Sequence, residues 1–288
     1  MDIALAVVAA LFFALGTVLQ QKAGLDEPVE GSSAGLLVQM ARRPMWLAGI
    51  AADGLGFAAQ FVALAIGRVA VVQPLLVLSV VFALPLGARL TNQRVTRVDI
   101  GAALVVTVGL VAFLAIADPH GGRDDAPLGD WLITGLVCAI VLTPLLVASR
   151  RMKGAAARAA TLGSCTGILF GLSAALTSVV GHRFDDGILD VFTSWPLYAL
   201  LVVGYASMTF SQLSLQTGAL APAVATQMTL DPITSLVLAV TLLQESLDSS
   251  APDVIATVVA LGLVLAGVAV LARRQEEPEA GAAAAAPP

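Results

Sequence analysis

Residues 46–80 read WLAGIAADGLGFAAQFVALAIGRVAVVQPLLVLSV. This stretch covers most of two apolar runs, 45–66 and 69–88, which only Gly67 and Arg68 separate, and each run reaches the roughly 20 residues that a membrane-spanning helix needs. The 288-residue chain is 58% hydrophobic and 12% charged, with a mean hydropathy of +0.91, whereas soluble domains carry about 25% charge. The composition predicts an all-α integral membrane protein and excludes a soluble enzyme, a nucleic-acid binder and a disordered chain.

Nine apolar spans are predicted along the chain. A further segment, 32–44, is too short and too polar at its end to cross alone, so a tenth, stunted helix is left open. The predicted spans cover approximately residues 3–21, 45–66, 69–88, 98–117, 131–149, 159–181, 195–216, 219–242 and 254–272.

The basic residues set the predicted orientation, because cytoplasmic loops are enriched in Lys and Arg. Arg68, Arg123 and Arg183 fall on one side of the predicted membrane, and the other twelve of the 15 basic residues fall on the opposite side. We therefore expect a multi-pass protein of the cytoplasmic membrane with its C-terminus inside and its N-terminus outside. The lipid bilayer is a predicted partner, no nucleic acid is expected, and the oligomeric state is open, with a homodimer as one option.

Two inverted repeats are predicted. The segment ALFFALGTVLQQ (10–21) is similar to ILFGLSAALTSV (168–179), and the second copy begins five crossings after the first. An odd number of crossings inverts the second copy relative to the first, as in many secondary transporters. The predicted organisation is a first repeat over 1–130, a joining helix with a basic cytoplasmic loop over 131–158, a second repeat over 159–272, and a disordered cytoplasmic tail over 273–288.

Two carboxylates, Asp53 and Asp231, lie inside the apolar spans without an intramembrane Lys or Arg. Burying an unpaired carboxylate costs several kcal/mol, so each is expected to be protonated, to bind a cation or to face water. A neutral Asp that is hydrogen-bonded to a neighbouring helix is the alternative. Polar stripes at helical spacing are predicted to line one cavity, or else to join helices; the candidate binding residues are Asp53, Gln60, Gln73, Tyr205, Thr209, Gln212, Gln227 and Asp231.

Other features of the sequence predict backbone geometry and surface character. Gln73-Pro74 and Asp231-Pro232 are expected to interrupt their helices, because proline removes a backbone hydrogen bond. The glycine ladder Gly163, Gly167 and Gly171 indicates close helix packing. The acidic outer loops, which include Glu245, are expected to form an ordinary solvated surface, with a rim that concentrates cations as the alternative.

No enzyme activity and no cofactor are expected. The sequence contains no GxxxxGK[ST], HExxH or GxSxG motif. The contexts of the two membrane aspartates, AADGLG and TLDPIT, also lack the GxGD pattern of intramembrane aspartyl proteases. The two cysteines, Cys138 and Cys165, fall inside apolar runs and imply no disulfide framework.

Pro232 and Glu245 are separated by twelve residues in DPITSLVLAVTLLQES, and glycine-rich helices follow Asp99 and Asp253. In these features the chain resembles the EamA-like drug/metabolite transporter superfamily. Over the first half it is similar to NIPA-type magnesium transporters, through the Trp-led helix and the segment PLLVLSV (74–80). The chain departs from the superfamily pattern where GARLTNQ (87–93) supplies neutral residues in place of an acid, and where the second of ten helices is missing or reduced to 34–44.

This resemblance implies a secondary transporter that moves a small organic or cationic solute by alternating access. The two membrane aspartates, Asp53 and Asp231, are the residues that we expect to couple transport to protons. A NIPA-like carrier of magnesium or another divalent cation, with the same two aspartates as metal ligands, is the first alternative. A non-transporting membrane scaffold is the second.

Overall fold

The computed structural model describes residues 1–26, 43–91, 95–215, 217, 219–247 and 251–284. These residues hold nine helical spans that are long and apolar enough to cross a membrane, which confirms the predicted all-α membrane class. The predicted segment 32–44 lies almost entirely outside the described residues. The helices are α1 (Asp2–Asp26), α2 (Pro44–Ile66), α3 (Val69–Leu76), α4 (Leu78–Leu90), α5 (Arg97–Ala117), α6 (Leu128–Arg151), α7 (Ala155–Asp186), α8 (Ile188–Thr193), α9 (Trp195–Leu215), α10 (Leu220–Thr241) and α11 (Ala251–Ala284).

The two predicted proline interruptions have different outcomes. The third span breaks at Val77, whose N–H bonds the Pro74 carbonyl at 3.2 Å, so that α3 and α4 are separate helices. In contrast, α10 continues through Pro232, and the predicted interruption there is wrong. Proline is tolerated inside a membrane helix where neighbouring helices support it, and α10 packs closely on α7 along the glycine ladder.

Each half of the chain is organised around its own first helix. In the first half α1 packs against α2, α3 and α4, and in the second half α7 packs against α9 and α10. The two halves join along α5 and α11, where Gly109 and Gly267 bring the helix backbones close together. The last helix continues to Ala284 and so includes part of the predicted tail; residues 285–288 lie outside the described chain.

A capping box starts α5. The Thr96 N–H donates to the Asp99 carboxylate at 2.7 Å, and the Asp99 N–H donates to the Thr96 hydroxyl at 3.3 Å. This arrangement satisfies N–H groups that have no partner within the helix. Asp99, which precedes a glycine-rich helix in the sequence, therefore has a structural role.

One end of the bundle is held by contacts between distant loops, and we refer to it as the Glu245 end. It contains Asp2, the α2–α3 turn and a two-stranded antiparallel ribbon, in which β1 (His120–Gly121) pairs with β2 (Glu245–Ser246). The loops at this end are those predicted to lie outside the cell.

Candidate functional site

A cavity of about 840 Å³ lies between the two halves of the bundle. It is bounded by helices α1, α2, α3, α4, α7, α9 and α10, with one residue from α11. Its volume falls in the range of small-molecule sites, roughly 300–1,000 Å³. Five of the predicted site residues line it: Gln60, Gln73, Tyr205, Gln227 and Asp231.

Asp231 contributes a carboxylate to this cavity from the middle of α10. Gly167 and Gly171 of α7 pack directly on the α10 backbone, and a Cβ on Gly171 would lie 3.0 Å from the Asp231 carbonyl oxygen. Such contacts confirm that the ladder serves close helix packing. The Asp231 side chain accepts a long hydrogen bond, 3.3 Å, from the Ser235 hydroxyl. The backbone at Asp231 is thus closely packed, while its carboxyl group has one long hydrogen bond.

Aromatic side chains form much of the cavity wall. Phe57 and Phe61 come from successive turns of α2, Phe13 from α1 and Phe170 from α7. The Phe13 and Phe57 rings meet edge to face with centroids 5.0 Å apart. These rings, together with Tyr205, provide apolar surface and π-faces in the same lining that contains the Asp231 carboxyl group.

Three amide side chains add hydrogen-bonding groups. Gln60 extends from α2 beside Phe57 and Phe61, and Gln73 lies in α3 just before the helix break. The side-chain amide oxygen of Gln227 accepts a hydrogen bond of 3.4 Å from the Ser211 hydroxyl. The cavity therefore has donors and acceptors from both halves of the chain, and among the described residues that line it there is no Lys or Arg.

The structure places the other predicted residues elsewhere. Asp53 is partly buried between α1 and α2, where it accepts a 2.5 Å hydrogen bond from Gln20 Nε2. Gly16 provides the space for this carboxylate, because any Cβ at that position would collide with it. Thr209 and Gln212 are exposed and do not line the cavity, and the Thr209 hydroxyl bonds the Tyr205 carbonyl.

Contacts between α2 and α7 lie between the cavity and the Glu245 end. The Ser178 hydroxyl donates to the Leu64 carbonyl at 3.0 Å, one turn beyond the lining residue Phe61. Gly181 packs directly on Ala65, and the Phe61 and Phe184 rings meet with centroids 5.7 Å apart. In the described chain these contacts lie between the cavity and the end of the bundle.

Glu245 joins the two halves at the same end. Its carboxylate accepts from the N–H groups of Val69 and Ala70, at 2.8 and 2.9 Å, and so caps the N-terminus of α3. The side chain is buried, with 5% of the residue exposed, so the expectation of a solvated surface is wrong for this acid. Burial raises the pKa of Glu245, while the two N–H bonds and the nearby Arg68 and His182 act in the opposite direction.

The three basic residues assigned to the predicted outer side all contact this end. Arg68 donates to the Gly121 carbonyl at 3.0 Å, and Arg123 donates to the Leu242 carbonyl and to the Asp130 carboxylate. Arg183 pairs with Asp125 at 2.5 Å. Each of the three guanidinium groups therefore has a partner at this end of the bundle.

Sequence reasoning missed the aromatic wall, the cavity-lining residue Ser173 of α7 and the cap by Glu245. The spacing of Phe57, Gln60 and Phe61 places them on one helix face and could have indicated the wall. The partners of Glu245 are more than 170 residues away in the chain, and no local pattern indicates a contact of that range.

The comparisons with known proteins add two similarities. Residues 1–126 match the model of the family "Magnesium transporter NIPA", which together with the nine spans supports a membrane transporter. An uncharacterized protein of Corynebacterium glutamicum is 31% identical over 276 residues, covering 95% of each chain. No solved structure gives a significant match. The chain therefore belongs to the same family as this corynebacterial protein, with its similarity to NIPA-type magnesium transporters carried by the first 126 residues.

Proposed function

We propose that the protein is a secondary transporter that moves a small organic cation across the membrane through the Asp231 cavity. The observation that carries the proposal is a carboxylate in an aromatic cavity of about 840 Å³, whose described lining contains no basic residue to neutralise it. A positively charged ligand would supply the missing counter-charge.

The walls favour an organic cation over a bare metal ion. Cations are attracted to the faces of aromatic rings within about 6 Å, and Phe13, Phe57, Phe61 and Phe170 all border the space. Magnesium instead prefers oxygen ligands in an octahedral arrangement and is reluctant to lose its water. The described residues form no group of three or more His, Cys, Asp or Glu that could hold a metal ion.

Proton coupling follows from the same carboxylate. A carboxyl group in the membrane interior is costly to ionise unless a cation pairs with it. Asp231 would therefore hold either a proton or the substrate cation, and each would displace the other. Such exchange at one group couples the movement of substrate in one direction to the movement of protons in the other.

Alternating access would use the two halves as moving bodies. We propose that they are inverted repeats of the EamA-like type, in line with the similar packing of α1 on its neighbours and of α7 on its own. Access from the Glu245 end requires α2 and α7 to separate at Ser178 and Gly181, and the Glu245 cap to release α3. The predicted orientation makes this the outer gate.

Flux into proteoliposomes tests the proposal. Radiolabelled choline and tetraethylammonium are offered to vesicles with an acidic interior, and a pH-sensitive dye reports proton release. We expect uptake with proton release, and loss of both in Asp231→Asn. Absence of flux for both cations, or flux unchanged in Asp231→Asn, would refute the proposal.

Magnesium is the second candidate substrate, and the match of residues 1–126 to the NIPA model favours it. In that case the proposed metal ligands are Asp53 and Asp231. The same vesicles loaded with a magnesium-sensitive dye decide between the two. Magnesium entry that requires both aspartates, without movement of organic cations, would replace the first candidate with the second.

A further inference from the structure

Gln73 has an unused hydrogen-bond donor at the cavity. The residue is 4% exposed and lines the cavity, and its side-chain Nε2 has no hydrogen-bond partner among the described residues. An amide nitrogen can only donate, and each such group carries two N–H bonds. Buried polar groups in native proteins almost always have a partner, so this nitrogen indicates an acceptor that comes from outside the chain.

Ser173 presents a second polar atom of the same kind. It lies on α7, lines the same cavity, and its buried hydroxyl oxygen has no hydrogen-bond partner in the described chain. Gln73 and Ser173 belong to different halves of the protein. A single ligand group that reaches both would therefore contact the two bodies at once.

The charge of the lining limits what that ligand group can be. An acceptor oxygen could belong to a carboxylate, a carbonyl, an ether or a hydroxyl. A carboxylate would bring a second negative charge into a cavity that already contains Asp231 and whose described lining has no Lys or Arg. Burying a charge without a partner is strongly unfavourable, so a neutral oxygen fits best.

We propose that the ligand of this cavity is an organic cation that also carries a neutral acceptor oxygen, such as an ester or amide carbonyl. Its cationic group lies at Asp231 and the aromatic rings, and its oxygen accepts from Gln73 Nε2 and the Ser173 hydroxyl. This inference rests on the proposed function, because it assumes that the cavity binds organic cations.

Three quaternary ammonium probes separate the charge from the acceptor, and the charge on their nitrogen does not change with pH. Acetylcholine carries an ester carbonyl, pentyltrimethylammonium has a similar length without an oxygen, and glycine betaine carries a carboxylate. Binding to the purified full-length protein in detergent is measured by calorimetric titration. We expect acetylcholine to bind about tenfold more tightly than pentyltrimethylammonium, which corresponds to about 1.4 kcal/mol, and betaine to bind most weakly.

Two variants assign that ratio to the two side chains. Gln73→Met keeps a similar length but has no donor, and Ser173→Ala removes the hydroxyl. We expect each to lower the affinity ratio of acetylcholine to pentyltrimethylammonium towards one, because only acetylcholine has an acceptor for the lost donor. Pentyltrimethylammonium is the internal reference, so the affinity ratio is informative even in a variant of lower stability. A lower ratio in either variant alone supports the inference.

The outcomes separate this inference from the proposed function. If neither cation binds, or if Asp231→Asn leaves their binding unchanged, the proposed function fails and the inference fails with it. If both cations bind equally well to the unchanged protein, Gln73 and Ser173 hold water only, and the inference alone is wrong. A tenfold ratio that survives both substitutions also overturns it, because the acceptor is then recognised elsewhere.

Discussion

Asp53 and Asp231 present the same signal in the sequence and lie in different surroundings. Each is an acid nine residues after a proline near the start of its span, Pro44 and Pro222 respectively. Asp53 accepts a 2.5 Å hydrogen bond from Gln20 of the adjoining helix. Asp231 borders a large cavity, and its hydroxyl partner, Ser235, is 3.3 Å away on its own helix.

The difference indicates that the neighbouring helix sets the surroundings of an acid in a membrane span. At Asp53 the neighbour is α1, where Gly16 leaves room for the carboxylate and Gln20 supplies a donor. At Asp231 the neighbour α7 contacts the backbone through glycines, and Asp231 is among the residues that line the cavity. The comparison supports a structural role for the first acid and a binding role for the second.

The largest expected effect is on cation affinity, which should fall when Asp231 is substituted and not when Asp53 is. Asp231→Asn removes the charge that would pair with the cation. Because a buried charge left without its partner is costly and each 1.4 kcal/mol is a factor of ten in affinity, affinity should fall roughly 10- to 100-fold. Asp53→Asn is the matched control and should keep affinity within about twofold. Calorimetric titration with acetylcholine measures both. An equal loss of affinity in the two variants would contradict a structural role for Asp53 and a binding role for Asp231.

A substitution in the glycine ladder tests whether the packing of α7 on α10 positions Asp231. Gly167→Ala puts a methyl group 2.7 Å from the backbone carbonyl oxygen of Gln227, and overpacking of this kind costs about 1–3 kcal/mol. The melting temperature in detergent should drop by several degrees, and cation affinity should fall with it. Gly135→Ala on α6 is the control, since nothing lies within 4 Å of its Cβ. A Gly167→Ala variant as stable as this control would show that α7 does not fix the position of α10.

Glu245 provides a third acid for comparison, one whose carboxylate is held by backbone donors. Glu245→Ala leaves the Val69 and Ala70 N–H groups without their acceptor, at a cost of about 1–3 kcal/mol. Asp124→Ala at the same end is the control, because Asp124 is exposed and 3.7 Å from His182, and exposed pairs contribute little. The melting temperatures of the two variants should differ by several degrees; similar values would contradict a capping role.

The pH dependence of stability sharpens the assignment of Glu245. Since burial raises its pKa, the folded chain keeps this proton to higher pH than the unfolded chain does. The contribution of protonated Glu245 to the free energy of unfolding is therefore complete below the ordinary glutamate pKa of about 4.3. It is lost as the pH rises through the raised pKa. Melting curves from pH 4 upward should show this decline, and Glu245→Gln should flatten it. An identical profile in the variant would assign the decline to other groups.

The smallest expected effect compares the hydrogen bonds of the two aspartates. A double-mutant cycle with Gln20→Ala and Asp53→Ala should give a coupling of about 1 kcal/mol, typical of one hydrogen bond. The corresponding cycle for Ser235 and Asp231 should give less, because the longer bond is weaker. Unfolding in detergent measures each variant. A larger coupling at Asp231 would indicate that this carboxylate is already satisfied within the chain.

The sequence by itself determined the membrane class and the nine spans, because the length and hydropathy of each span are local properties. It also identified residues that line the cavity, such as Gln60 and Asp231, because polar groups in an apolar span face the protein interior. Likewise, the glycine ladder could be interpreted from spacing alone.

Only the tertiary structure decided which polar groups share a site. It placed Asp53 with Gln20, kept α10 continuous through Pro232, and brought Glu245 to the start of α3. These outcomes depend on contacts between residues far apart in the chain, and neither hydropathy nor periodicity contains that information. A side chain's type fixes what it can bond, whereas the neighbouring helices fix whether its partner is another part of the chain or a ligand.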